Sequence, residues 1–272
     1  MDMNLQIILF DLDGTLLTSD NVVSLATANA IKICKNKGYL IGFITARVRS
    51  EKTIHLLDGL PCDFIAFCNG AEIYAKNRLI ERNSLPYRQA VLILQNLNED
   101  FPSLEIDVYQ YPWSYSSVYE EIFNMESGDK VKCNIHELPN CDVQSIRLKS
   151  DILNYIPLQN YMSSESTFYY STFGDVIIGY KNATKGHAVK KASEFFDIPL
   201  TNMIAFGDDV NDIGMLKNVG TSIAMGNAVA SLKEIADYVT KTNDCDGVAI
   251  WLNEHLSKKS LFIVEAKIMP FK

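Results

Sequence analysis

Short continuous apolar runs alternate with helical spacing over the first third of the chain. Residues 6–10 (QIILF) form such a run, the pattern of a strand buried on both faces. The spacing then predicts a helix over 24–37. Ser24 can cap it, Leu25, Ala28 and Ile31 mark an apolar face, and Lys32 and Lys35 mark a basic one. Lys37 and Gly38 end it with a basic last turn and a glycine. A second buried strand is expected over 39–44, a helix over 51–57 stopped by Asp58 and Gly59, and a third strand over 63–67. Strand–helix alternation of this kind predicts an α/β fold, a parallel sheet with helices on both faces.

The middle third departs from that rhythm. Residues 72–82 read as a hairpin turning near Lys76 and Asn77, and Leu85-Pro86 then breaks the pattern. A helix is expected over 87–98, with Ala90, Leu94 and Leu97 on one face. Short strands rich in Tyr, Val and Ile follow at 104–109, 145–148, 167–171 and 175–179. Alternation resumes with a helix over 185–196, a strand over 202–206, a helix over 209–216, a strand over 221–225 and a helix over 229–236. The shift in composition predicts a core domain built from 1–83 and 182–272, interrupted by an inserted α+β domain at 84–181. The partly apolar tail, 258–272, has no placement in this scheme.

Composition narrows the function. Hydrophobic residues make up 47% of the 272 residues and charged residues 21%, ordinary values for a globular protein. The formal net charge of −8 argues against non-specific nucleic-acid binding. It also means that any phosphate-bearing ligand needs local positive charge. No run of about 20 apolar residues predicts a membrane span, and the start of the chain lacks a signal-peptide pattern. Cys34, Cys62, Cys68, Cys133, Cys141 and Cys245 form no C-x-x-C pair and are expected as reduced, buried thiols of a cytoplasmic protein. His55, His136, His187 and His255 show no metal-ligand spacing, and His187 is expected on a surface helix. The aromatic run from Tyr109 to Tyr119 is expected to pack the inserted domain.

Four motifs carry chemistry. Asp11-Leu12-Asp13-Gly14-Thr15-Leu16 follows the first strand directly. Ligands of open parallel sheets sit beyond the carboxyl ends of the strands, where both aspartates are expected. One carboxylate can attack phosphorus, and the other can protonate the leaving oxygen and later deprotonate water. Gly207-Asp208-Asp209-Val210-Asn211-Asp212 follows another apolar strand. Asp208 can complete a magnesium site with Asp11, and Asp212 falls one helical turn further on, able to face the same point. Helix capping by Asp208 or Asp209 is the competing use of the same residues. Thr45-Ala46-Arg47 after the second strand offers a hydroxyl and backbone amides to phosphoryl oxygens. Lys185, in Thr184-Lys185-Gly186 at a helix start, offers a point cation.

In this order the four motifs resemble the haloacid dehalogenase superfamily of phosphotransferases: DxDGT, then Ser or Thr, then Lys, then GDxxND. The match runs over about 7–251, and the Asn69-Gly70-Ala71 turn with the insertion after it looks like the Cof-type subfamily with a type IIB cap. The resemblance implies a Rossmann-like core and an inserted α+β cap. It implies Asp11 as nucleophile and Asp13 as acid/base. It implies Mg2+ held by Asp11, the backbone carbonyl of Asp13 and Asp208. It further implies that Thr45 and Lys185 bind the phosphoryl group with help from Asn211, and that Asp212 orients Lys185 or metal-bound water. The chain departs from the family pattern at Ala46, where glycine is common.

The expected activity is hydrolysis of a small phosphorylated metabolite, a sugar phosphate, by a monomer or weak homodimer. Asp13 must be protonated for the first step, which requires a raised pKa from neighbouring carboxylates and from closure of the cap. A hexose phosphomutase would use the same core motifs, and a non-catalytic regulatory protein could share the fold. Intact aspartates and lysine weigh against the second, and the lack of membrane spans against an ATP-driven pump.

Overall fold

A computed structural model of the chain describes residues 6–126, 129–135, 137–171 and 174–256. His136 and the tail 258–272 lie outside these residues. Among the described residues no helix is long and apolar enough to cross a membrane.

The chain opens with β1 (Ile7–Phe10), α1 (Leu25–Asn36), β2 (Leu40–Ile44), α2 (Glu51–His55) and β3 (Phe64–Phe67). Ser24 Oγ accepts from Thr27 N at 3.1 Å and caps α1. The buried face of α1 is Thr27, Ala30, Ile31 and Cys34, not the Leu25–Ala28–Ile31 face expected; Leu25 is 78% exposed. The true stripe begins two residues later at the i, i+3, i+4, i+7 spacing. The hairpin β4 (Glu72–Ala75) and β5 (Arg78–Arg82) turns at Lys76 and Asn77, both left-handed at φ 48° and 61°. It adds two antiparallel strands to the edge of the core sheet beyond β3.

The cap begins with α3 (Tyr87–Asp100), β6 (Glu105–Gln110), β7 (Trp113–Ser116), β8 (Glu121–Asn124) and β9 (Lys130–Lys132). It continues with β10 (Ser145–Lys149), β11 (Ser166–Tyr170) and β12 (Val176–Tyr180). These strands form an antiparallel sheet in the order β11-β12-β10-β6-β7-β8-β9. One face carries Ile106, Val108, Ile146, Leu148, Val176 and Ile178, which share a core with Ala90, Ile93, Leu94 and Leu97 of α3. Trp113 and Tyr115 also pack there. The alternate residues face the other way, and the register aligns Asp107, Arg147, Ile177 and Tyr169 across four strands.

The core sheet then resumes with α4 (Lys185–Phe196), β13 (Met203–Gly207), α5 (Ile213–Leu216), β14 (Thr221–Ala224), α6 (Ala230–Lys233), β15 (Tyr238–Val239) and α7 (Gly247–His255). The order is β15-β14-β13-β1-β2-β3-β4-β5, parallel from β15 to β3. The helices expected over 209–216 and 229–236 are short, because a 3-10 turn at Val210–Asp212 precedes α5 and α6 covers only four residues. From the centre the chain steps outward in opposite directions, β1 to β2 and β13 to β14. Right-handed crossovers therefore place α1 and α5 on opposite faces. The centre is dry: Ile7, Ile8, Leu9 and Phe10 are fully buried, and Phe10 stacks on Phe206 at 5.2 Å.

Cysteine burial corrects the expectation in part. Cys34, Cys68 and Cys133 are buried and Cys141 is half-buried, but Cys62 and Cys245 are exposed. Both exposed thiols lie in connecting segments, Cys62 just before β3 and Cys245 just before α7, outside the apolar runs.

Candidate active site

The carboxyl ends of the central strands converge. Asp11 leaves β1, Thr45 leaves β2, Asn69 leaves β3 and Asp208 leaves β13. The reversal of strand order falls between β1 and β13, where open α/β sheets form their ligand crevice. A cavity of about 540 Å³ opens there, lined by core residues that include Asp11, Asp13, Arg47, Lys185, Asp208 and Asn211. Its opposite wall is the polar face of the cap sheet, with Tyr109, Arg147, Tyr169, Ser171 and Asp175.

Lys185 begins α4 behind its N-cap Thr184 and is 2% exposed. Its Nζ donates to Asp11 Oδ1 at 2.5 Å and to Asp212 Oδ1 at 2.6 Å. Burial alone would lower its pKa, but Asp11 and Asp212 outweigh it and hold the ammonium charged. Asp212 is fully buried, and its Oδ2 accepts from the backbone N–H groups of Asp208 and Asp209 at 2.9 and 3.1 Å. It therefore fixes both the turn after β13 and the position of Lys185. Capping and site-building are one act here, since Asp209 and Asp212 also form a capping box.

Asp208 accepts from Thr15 Oγ1 at 2.8 Å. Gly14, at φ +76°, gives it room; a Cβ there would lie 2.2 Å from Asp208 Oδ2. Asp11, Asp208 and Asp212 bring carboxylate oxygens within 4.8 Å of one another. Burial raises the Asp11 carboxyl well above its usual range, Asp212 and Asp208 add to the rise and Lys185 opposes it. Burial, then Asp212, pushes Asp208 up to about 6. A pocket of hard, crowded, partly neutralised oxygens fits a divalent cation such as Mg2+, which would offset the repulsion that adds to the effect of burial on both groups.

Asp13 stands apart from that cluster. Its side chain is 42% exposed, and Arg47 grips it through Nε, at 2.8 Å from Oδ2, and through Nη2, at 2.5 Å from Oδ1. The sequence suggested neighbouring carboxylates around Asp13; the structure adds a guanidinium in direct contact with it. The pair also holds Arg47 above its ordinary pKa, chiefly through the hydrogen bond to Asp13. Thr45 is fully buried under the Ala46–Arg47 turn and does not line the cavity; its Oγ1 accepts from Arg47 N at 3.0 Å. Ala46 is exposed at the cavity wall and carries no left-handed φ, so the methyl is accommodated. Asn211 lines the cavity, but its Nδ2 donates to Asn69 Oδ1 at 3.0 Å.

Several neighbours were not singled out from sequence. Thr15 sits inside the first motif, and Asn69 inside a turn noted only for its resemblance. Asn69 Nδ2 donates to Tyr169 Oη at 2.6 Å, joining core to cap. Burial pushes the Tyr169 phenol up to about 12. On the cap wall Arg147 donates to Asp175 through Nε at 2.7 Å and also through Nη2. Of the aromatic run, Tyr109 lines the cavity and Tyr111 takes the cation of Arg49 over its ring at 4.6 Å, so packing is not its whole use. His187 bonds Glu81 at 2.6 Å, tying α4 to β5 away from the cavity.

Comparison with known proteins fits this geometry. The chain is 28% identical over 274 residues to the Bacillus subtilis (strain 168) 5-amino-6-(5-phospho-D-ribitylamino)uracil phosphatase YitU, covering 94% of this chain and all of that one. It is 26% identical to the Escherichia coli (strain K12) pyridoxal phosphate phosphatase YbhA, covering 93% of this chain and all of that one. The solved structure of the HAD subclass IIB sugar phosphatase BT4131 shares the fold, with a TM-score of 0.78, 21% identity and coverage of 93% of this chain and 99% of that one. The family profile described as haloacid dehalogenase-like hydrolase matches residues 8–252. With that span matched, and with acid pair, lysine and acidic turn gathered at one sheet edge, the chain belongs to the haloacid dehalogenase-like hydrolases, the family of the phosphatases it resembles.

Proposed function

We propose that this hydrolase is a magnesium-dependent phosphatase that acts on a small phosphorylated metabolite, a sugar phosphate, through an aspartyl phosphate on Asp11. The observation that carries it is the buried Asp11 carboxylate held by Lys185 at 2.5 Å, at the floor of a cavity roofed by a polar cap sheet. Asp11 attacks phosphorus, a P–O bond forms to its carboxylate, and the bond to the leaving oxygen breaks. Asp13 gives that oxygen a proton. Asp13 then takes a proton from water as the water attacks phosphorus, phosphate leaves, and Asp11 is restored. Its half-exposed side chain lines the cavity, within reach of leaving group and water.

Two unit negative charges about 4 Å apart repel by about 4 kcal/mol at an effective dielectric of 20, and a carboxylate facing a phosphate dianion by about twice that. Lys185 offsets part of this, with Asp212 keeping it aimed. When bound, Mg2+ would supply positive charge that offsets the phosphoryl anion. Asp11, the backbone carbonyl of Asp13 and Asp208 would hold it, with Asp212 beside them. Asn211 lines the phosphoryl cradle, while Thr45, buried outside the cavity, fixes the Ala46–Arg47 turn beside it. Residues 84–181 act as the cap on a core of 1–83 and 182–272, and choose the leaving group. We place the protein in the cytoplasm as a monomer or weak homodimer.

A screen of phosphorylated metabolites with Mg2+, run beside Asp11→Asn, tests this. Phosphate release without an added acceptor, lost by at least 1000-fold in Asp11→Asn, is the expected result and separates hydrolysis from mutase chemistry. Equal release by parent and variant would remove Asp11 as nucleophile.

A further inference from the structure

Two ion pairs cross the polar face of the cap sheet on the diagonal. Asp107 stands opposite Arg147 in the register but accepts from Lys149 Nζ at 2.8 Å. Arg147 turns the other way, to Asp175, two residues before its register partner Ile177. Lys149 and Asp107 join strands and do not line the cavity, whereas Arg147 and Asp175 both do. The second pair is therefore placed over the site as well as across the sheet.

The pair is fixed but not used up. Arg147 Nε donates to Asp175 Oδ2 at 2.7 Å, and Nη2 donates to the same oxygen. Arg147 Nη1 and Asp175 Oδ1 take no part in it. The Asp175 side chain is 14% exposed and that of Arg147 37%, so ligand can reach both while the wall holds them. Among the described residues, these two are the charged groups that the cap turns to the cavity, and around them stand Tyr109, Ser145, Tyr169 and Ile177. The cap wall therefore carries no net charge. A second anion on the leaving group would gain little from Arg147, whose charge Asp175 already meets, and would face the Asp175 carboxylate. A hydroxyl both accepts and donates. Neighbouring hydroxyls can accept from Arg147 and donate to Asp175 without parting the pair.

We propose that Arg147 and Asp175 are the specificity-determining pair of this site: together they read a neutral, hydroxyl-rich leaving group and reject one that carries a second anion. This rests on the phosphatase function proposed above and names the part of the substrate that the cap reads. Attraction and rejection come from different members of the pair, Arg147 binding the hydroxyls and Asp175 excluding the anion.

The test is kcat/KM of the Mg2+-loaded full chain on three phosphates. Sorbitol 6-phosphate and 6-phosphogluconate are open chains of one length that differ at the far end, a hydroxymethyl group against a carboxylate. p-Nitrophenyl phosphate has no hydroxyls to read. The parent is expected to favour sorbitol 6-phosphate over 6-phosphogluconate by about 10-fold or more. Asp175→Asn leaves Arg147 an unpaired cation, so that preference should fall by about 10-fold. Arg147→Met should lower the ratio of sorbitol 6-phosphate to p-nitrophenyl phosphate by about 10-fold, the loss of one hydrogen bond from a charged group. Each ratio is taken on one preparation, so partial unfolding of a variant does not move it. A parent that prefers 6-phosphogluconate, treats the two alike, or cleaves p-nitrophenyl phosphate and neither hydroxylated phosphate would overturn the proposal. So would either variant ratio within 2-fold of the parent's. A parent that cleaves none of the three would instead count against the phosphatase function itself.

Discussion

Lys185 Nζ lies 2.5 Å from Asp11 Oδ1, and both residues are nearly out of water, 2% and 4% exposed. Such a pair is weak evidence of stability while intact, but removing one partner strands the other. Asp11 and Asp212 would both lose their cation in Lys185→Met. The expected cost is roughly 3–5 kcal/mol at pH 7.5, together with loss of turnover. Carboxyls stranded in this way have folded pKa values above their unfolded ones. Their penalty is absent below the unfolded pKa and grows as pH rises through the folded one. Urea unfolding should therefore show a smaller deficit at pH 5 than at pH 7.5. Equal deficits would mean that the charges are not what the lysine compensates.

Gly14→Ala tests the cradle around Asp208. The new methyl would meet Asp208 Oδ2 at 2.2 Å, and the residue sits at φ +76°. Strain of both kinds predicts a loss of about 1–3 kcal/mol. Asp208 is the group that must move, so the midpoint for Mg2+ activation should rise as well. A variant that is less stable but activated at the parent's Mg2+ midpoint would show that the crowding stops short of the metal site.

The raised carboxyls make Mg2+ binding a matter of pH. Asp208 is pushed up to about 6, and Asp11 is also raised. Between the unfolded value near 3.8 and the folded one, the metal-free native state holds more protons than the unfolded state. Its stability therefore falls as pH rises through that window. A cation that favours ionised carboxylates offsets the loss, and protons compete with it at low pH. The rise in melting temperature on adding Mg2+ should be larger at pH 7.5 than at pH 5. A shift that does not change with pH would separate the metal from these carboxyls.

The core was readable from sequence because its buried strands are continuous apolar runs, with the motifs directly at their ends. Asp11 after Phe10 and Asp208 after Gly207 needed only that rule. The cap was less readable. β9 (KVK) is exposed at all three positions, so no apolar alternation marks it. The segment of α7 is apolar nearly all round, which hides a helical period. Thr15 and Asp212 lie in recognised motifs, yet their partners, Asp208 side chain and Asp208 backbone, emerge only once the turn closes. Tyr169 fell inside an expected strand, but its neighbour Asn69 is 100 residues away. Only the register of β11 on β12 and the seating of the cap over the crevice bring them together.

The insertion of the cap between β5 and α4 also orders events during synthesis. Asp11 must wait for a lysine 174 positions downstream, and β1 for its neighbour β13. At roughly 5–20 residues per second, that is about 10–35 s in which the central strand lacks one side and the acidic turn has not been made. All of the cap leaves the ribosome within that interval. The part that selects the substrate is thus available to fold before the part that does the chemistry exists.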